Sequence, residues 1–170
     1  MPDCAHWSFR RAIAALFTCG SLFSMQAHAQ SLELARASQL IAAAMQYATK
    51  NGMAVSIVVV DAGGHFLSGV RMDGAPFGTF DVARGKAAAT AATGGASGAE
   101  LVKRYQANPI VFGQMSSLVY GGPLFPSQGS LGVFVAGKFA GAVGVSGGAS
   151  DADEETARRG ISAIGASETP

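Results

Sequence analysis

Apolar positions recur at helical spacing in the first folded stretch, where Leu34, Ala37, Ile41, Ala44 and Ala48 fall on one side of a helix. That stripe predicts a helix opened by Ser31 and closed by Asn51-Gly52. The period then changes. Val55–Asp61, VSIVVVD, is a continuous β-branched run too apolar for a sheet edge, and Ala62-Gly63-Gly64-His65 turns it into a second, antiparallel strand within HFLSGVRMDG. Phe77–Thr93 reads as an alanine-rich helix begun near Thr79, whose small side chains suit close approach to a sheet or to another subunit. Gly94-Gly95 ends it. Ser97–Tyr105 predicts a further helix, broken at Asn108-Pro109.

The stretch IVFGQMSSLVYGGPLFPSQGS reads as irregular, because Gly121-Gly122-Pro123 and Pro126 exclude a long regular element. A short strand near Leu118–Tyr120 is its one predicted element, and the stretch is a candidate site wall. Gly132–Ala136 and Phe139–Ser146 form a hairpin around Gly137-Lys138. The last helix is expected over Asp151–Ile164, with Asp151 as cap and Glu154 completing a capping box. The predicted order is α-β-β-α-α-β-β-β-α, a single α+β domain without internal repeat or linker.

The N-terminal residues change this picture little but bear on location. Arg10-Arg11 precede the apolar run Ala12–Met25, and Ala27-His28-Ala29 gives a small-x-small cleavage pattern. Residues 1–29 therefore read as a signal peptide and 30–170 as the mature domain, exported to a periplasm or secreted. The apolar run is shorter than the ~20 residues that span a bilayer, so no membrane anchor is expected. Cys4 and Cys19 fall in the leader, which leaves the mature chain without a thiol or disulfide. His6 and His28 leave with it, making His65 the one histidine of the mature chain and excluding zinc sites built on several His or Cys.

Charge narrows the partners. Residues 30–170 carry ten Lys or Arg and ten Asp or Glu. A neutral balance without a basic run argues against nucleic acid, since phosphate binding needs clustered cations. Lys103-Arg104 and Arg158-Arg159 are isolated pairs on helices and read as solvated faces.

One motif suggests catalysis. Gly144-Val145-Ser146-Gly147-Gly148 fits the G-x-S-x-G of a hydrolase nucleophile elbow. That mechanism needs an acid and then a histidine further along the chain, and no histidine follows position 65. Ser146 therefore reads as structural, and no catalytic residue is assigned.

The succession VSIVVVDAGGHFLSGVRMDGA, ARGKAAATA, YGGPLFP and GAVGVSGG followed by SDADEETARRG closely resembles the GlcG/HbpS family of haem-binding and haem-degrading-type proteins, also found as the C-terminal domain of some corrinoid adenosyltransferases. The resemblance covers essentially the whole mature chain. It implies a five-stranded antiparallel sheet flanked by helices, a homo-oligomer such as a hexamer or octamer, and haem as cofactor.

Haem needs an apolar slot, axial donors and cations for its propionates. The metal-ligand candidates are His65, Tyr105 and Met115, although a lone histidine at a hairpin turn is ordinarily a solvated turn residue. Tyr105-Gln106-Ala107-Asn108-Pro109-Ile110 matches a region of haem contact in the family, where a hydroxyl-bearing residue can follow the proline. Here Ile110 stands in that place, and Tyr105 or Met115 is left as substitute. Phe112, Leu124 and Phe125 are candidates for stacking on a porphyrin or for core. Arg71, in the R-x-D-G stretch with Asp73, and Lys86 are candidate cations, with a structural Arg–Asp pair the equal alternative. Gly147-Gly148, before a helix N-terminus, offers N–H groups to a propionate. Two function classes stand: an exported haem- or iron-binding protein that scavenges, senses or degrades haem, and a small-molecule-binding or enzymatic accessory protein of a catabolic operon without haem.

Overall fold

A strand apolar on both faces needs cover on both sides, and this sets the architecture. In the computed structural model, which describes residues 32–117 and 124–170, β1 (Ser56–Asp61) is that strand. Its Ile57 and Val59 join the core formed with α1 (Leu34–Lys50) and α5 (Ser150–Ala163), while Val58 and Val60 face α2 (Thr79–Ala92). A central strand buried on both faces reads as a continuous apolar run, which is why it lacks alternation.

β1 pairs antiparallel with β2 (Phe66–Arg71) on one side and with β4 (Lys138–Ser146) on the other. β4 pairs in turn with β3 (Ser130–Val135), so the order is β2-β1-β4-β3. The molecule is thus α+β with an antiparallel sheet between helical layers. The sheet has four strands among the described residues, not five, and the strand expected at Leu118–Tyr120 lies outside them.

On the α2 side the sheet presents Gly132, Ala142 and Gly144, small residues that let the helix backbone come close. A Cβ on Gly144 would stand 2.1 Å from the Ala83 carbonyl oxygen and 2.7 Å from the Ala87 nitrogen. This explains the alanine run: Ala83, Ala87 and Ala91 are the α2 residues that seat on the strands.

Several expectations are corrected in detail. Ser31 lies outside the described residues. Leu34 is exposed, and Leu40 instead joins Ala37, Ile41, Ala44 and Ala48 in the buried stripe of α1. The segment expected to be irregular begins with a helix, α4 (Pro109–Ser117), following α3 (Gly98–Ala107). Proline has no N–H to lose at the first helical position, so Asn108-Pro109 ends one helix and starts the next, with Asn108 Oδ1 accepting from Val111 N at 3.4 Å. The β3–β4 turn is Ala136-Gly137, both with positive φ, 50° and 75°, as a two-residue hairpin requires. α5 starts at Ser150, so Asp151 is already inside the first turn and the expected capping box does not form. Asp153 reaches back instead, its Oδ1 accepting from Gly148 N at 2.9 Å.

Candidate functional site

The two ends of the sheet differ in chemistry. At one end, where Ser56 pairs with both Ser146 and Arg71, polar groups are closed on each other. Lys86, buried on α2, donates to the Val145 carbonyl at 2.8 Å and to Asp153 Oδ2 at 3.2 Å. Ser56 Oγ lies 2.8 Å from Thr79 Oγ1, whose hydroxyl donates to the Pro76 carbonyl. Arg71 donates to the Ala75 carbonyl at 2.5 Å, which organises the loop after β2. Gly147, with φ 142°, sits where a Cβ would strike the Ala54 carbonyl at 2.7 Å, and it turns the chain off β4. The Gly148 N–H is donated to Asp153.

At the other end, near Asp61, the groups stay open. The β1–β2 turn, α2 and α4 enclose a cleft of about 370 Å³. Ala62, Gly63 and Gly64 form one side. Ala88, Ala91 and Ala92, spaced three and four apart on α2, form a floor of methyl groups, and Met115 and Leu124 complete the wall. Leu124 is anchored in a small apolar cluster with Ala89 and Leu101. A shallow recess continues from Met115 and Leu124 past Phe112, Thr93 and Pro126.

His65 stands on the rim of this cleft, with its ring against Gly63: a Cβ there would lie 2.9 Å from both ring Cε1 and Nδ1. The side chain is 82% exposed and its Nδ1 is 3.2 Å from Asp61 Oδ2. Asp61 Oδ1 accepts from Gly63 N at 2.8 Å and from His65 N at 2.9 Å.

The residues nominated from sequence therefore divide. Met115 lines the cleft, His65 stands beside it, and Phe112 lines the adjoining recess. Tyr105 packs over α4 near Gly113, half-exposed, outside the cleft lining. Pro109 and Ile110 are exposed on the first turn of α4, Ile110 at 74%. Arg71, Lys86, Gly147 and Gly148 belong to the closed end. Five residue steps along β1 separate Ser56 from Asp61, roughly 17 Å at ~3.3 Å per residue, so the two groups do not meet in one site. The same separation keeps His65 away from Ser146.

A larger cleft of about 530 Å³ lies between the Thr93–Ser97 loop, α3, α5 and the C-terminal residues. Its charges are spent within the chain. Arg104 pairs with Glu100 at 3.0 Å, and Arg158 pairs with Glu154, Glu155 and Glu168 at 3.1, 2.6 and 2.9 Å. The bond from Arg158 holds the Glu155 carboxyl below its ordinary pKa, against a smaller opposing effect of burial, and the Glu155 bond raises Arg158 further. Among the described residues, no group of three or more His, Cys, Asp or Glu is placed to hold a metal ion, and no helix is long and apolar enough to cross a membrane.

Residues 32–162 match the model of the haem degrading protein HbpS-like family. The chain belongs to the HbpS-like family. A solved PduOC–haem complex is 26% identical, with a TM-score of 0.73 over 82% of this chain and 99% of that one. Klebsiella pneumoniae protein ORFY is 30% identical, with a TM-score of 0.72 over 87% and 100% of the two chains. A double glutamate-to-aspartate variant of Streptomyces reticuli HbpS is 30% identical, with a TM-score of 0.70 over 95% and 97%. A search of curated proteins gives no match. For this HbpS-like chain, sequence reasoning passed over Asp61 and the cleft floor Ala88, Ala91 and Ala92. The signal was present in the Asp-x-x-x-His spacing around a Gly-Gly turn, and in Ala88 and Ala92, which recur beyond the alanines that seat α2 on the sheet.

Proposed function

We propose that this protein binds haem at the open end of its sheet, in the cleft between the β1–β2 turn, α2 and α4. The observation that carries the reading is an apolar cleft with a thioether in its wall and an imidazole on its rim, in a chain of the HbpS-like family. These residues fit the group. The alanine floor and Leu124 supply an apolar surface, and His65 and Met115 are donors of types that hold haem iron. Bound haem would bring a redox-active iron centre with open coordination chemistry. The relative solved with haem, PduOC, shares the fold over nearly its whole length, which supports the same cofactor here.

Among the described residues no charged side chain lines the cleft. The carboxylates of a bound haem find no counter-charge among these described lining residues, which favours a pose with that edge left outside. Tyr105, Ile110 and Val111 expose apolar surface on α3 and α4. Surface of that kind suits a subunit contact, and we propose a homo-oligomer, hexameric or octameric, with haem near a subunit boundary. The reading of residues 1–29 as a leader adds export to a periplasm or the outside, with scavenging or sensing of haem as the role. Mass spectrometry of the exported protein should give an N-terminus at Gln30, and a lipid on Cys19 would contradict it. Light scattering should give a multiple of the subunit mass, and a single-subunit mass at micromolar concentration would remove the oligomer.

The test of the function itself is a hemin titration followed by absorbance. A Soret band that shifts and saturates near one haem per subunit is expected. An unchanged hemin spectrum would contradict the proposal and favour a different small molecule at the cleft.

A further inference from the structure

We infer that Asp61 is a positioning residue that fixes His65 in the tautomer with an unprotonated Nε2, and so makes His65, rather than Met115 or Tyr105, the axial donor at the cleft. This rests on the haem reading above and adds the ligand and the residue that prepares it.

The direction of the bond between them follows from what each atom can do. An ionised carboxylate only accepts hydrogen bonds, so the contact of 3.2 Å between Asp61 Oδ2 and His65 Nδ1 requires a proton on Nδ1. A neutral imidazole carries one N–H, and the lone pair is then on Nε2. The carboxylate cannot swing away, because Oδ1 is held by the backbone N–H groups of Gly63 and His65 at 2.8 and 2.9 Å. Asp61 is itself the last residue of the central strand, tied to the turn by Asp61 N donating to the His65 carbonyl and Gly64 N donating to the Asp61 carbonyl. The ring rests on Gly63, one of the residues lining the cleft, and its exposure leaves Nε2 reachable. A carboxylate behind a ligating histidine orients the ring and raises its basicity. Among the described residues no hydrogen bond orients Met115 or Tyr105 in this way, and Tyr105 is outside the cleft lining.

The two substitutions that separate this from a turn-forming role are Asp61→Asn and Gly63→Ala. An asparagine keeps an oxygen for the two backbone N–H groups, so the turn survives, but it presents an NH₂ to the ring. The imidazole must then accept at Nδ1 and carry its proton on Nε2. Gly63 has no positive φ, and the nearest atoms a Cβ there would meet are those of the flexible ring and then, at 3.3 Å, Asp61 Oδ1, so Gly63→Ala displaces the ring with the carboxylate retained.

The experiment has a haem-free arm and a hemin arm. Long-range ¹H–¹⁵N correlation spectra of the full chain without hemin, at about pH 8 where imidazole is neutral, should show His65 with its proton on Nδ1, and Asp61→Asn should move it to Nε2. In the hemin complex, the electron paramagnetic resonance and Soret signature of a histidine ligand should disappear in His65→Ala and return with added free imidazole. Asp61→Asn and Gly63→Ala should each weaken hemin binding at least tenfold, and Asp61→Asn should move the haem reduction potential to more positive values. A wild-type His65 protonated on Nε2, or a hemin signature unchanged in His65→Ala, would overturn the inference. A wild-type protein that takes up no hemin would defeat the haem reading and the ligand assignment together, and the haem-free spectra would still show whether Asp61 sets the tautomer.

Discussion

The two ends of the sheet use similar residue types to opposite effect. At the Ser146 end a lysine, an aspartate and several hydroxyls are buried and closed on one another, so their chemistry is consumed in joining α2, β4 and α5. At the Asp61 end an aspartate is equally committed to backbone and side-chain donors, yet the imidazole it holds stays exposed beside an apolar cleft. The difference teaches that a charged residue near a motif is informative only once its partners are known. Lys86 resembles a ligand-binding cation in the sequence, and in the fold it is a rivet.

The largest effect separating the ends should come from Asp153→Ala. It leaves the Lys86 ammonium buried without its carboxylate, at a cost of about 3–5 kcal/mol typical of a broken buried pair, and frees the Gly148 N–H as well. Denaturant unfolding should show the loss, while the folded fraction still takes up hemin with unchanged stoichiometry. A milder loss, below about 1 kcal/mol, would mean that the closed end is not held by this pair.

Ala92→Phe inverts that pattern. Ala92 is exposed on the cleft floor, so a larger side chain there costs within about 0.5 kcal/mol of stability, but it occupies the volume a porphyrin edge needs. Hemin affinity should fall at least tenfold, about 1.4 kcal/mol.

A smaller effect concerns acid. The Arg158 bond depresses the pKa of Glu155 below its ordinary 4.5, so the pair stabilises the fold above that value, and the contribution is lost as pH falls through the lower folded-state pKa. Both groups are partly exposed, which limits the contribution to about 1 kcal/mol. Stability measured against pH should fall in that acid range for the wild type and less steeply for Arg158→Met. Equal slopes would remove the pair from the account.

Ser146→Ala should change least. Ser146 ends β4 at the closed end, with His65 at the far end of the neighbouring hairpin, so among the described residues no histidine is there to activate it. Stability within about 0.5 kcal/mol of wild type and an unaltered hemin titration are expected. An esterase activity lost on this substitution would contradict its structural role.

Much of the fold was legible because its signals are local. The β-branched run Ile57–Val60 could only be a central strand, and Asn51-Gly52, Gly94-Gly95 and the Ala136-Gly137 neighbourhood punctuate the chain where the elements end. α4 was missed because Pro109 was read as a breaker, although it is also a residue that opens helices. The site was legible in part. His65 was nominated as a donor on residue type and Met115 as a substitute ligand through the family resemblance, and they stand beside and in the cleft wall. Arg71, Lys86, Gly147 and Gly148 were nominated for their charge or their place before a helix. Whether such groups are open depends on long-range partners, as with Lys86 and Val145, which no local pattern encodes. The cleft floor was hidden for the converse reason: Ala87 and Ala88 are identical letters, and only the rotation of α2 on the sheet assigns one to the core and the other to the cleft.

The account turns on the open end being where haem sits, and a single hemin titration run on the wild type beside Ala92→Phe tests it most directly. The prediction is saturation near one haem per subunit for the wild type and an affinity at least tenfold lower for the variant, with both proteins equally folded. Equal affinities in the two proteins, or no Soret shift in the wild type, would contradict it.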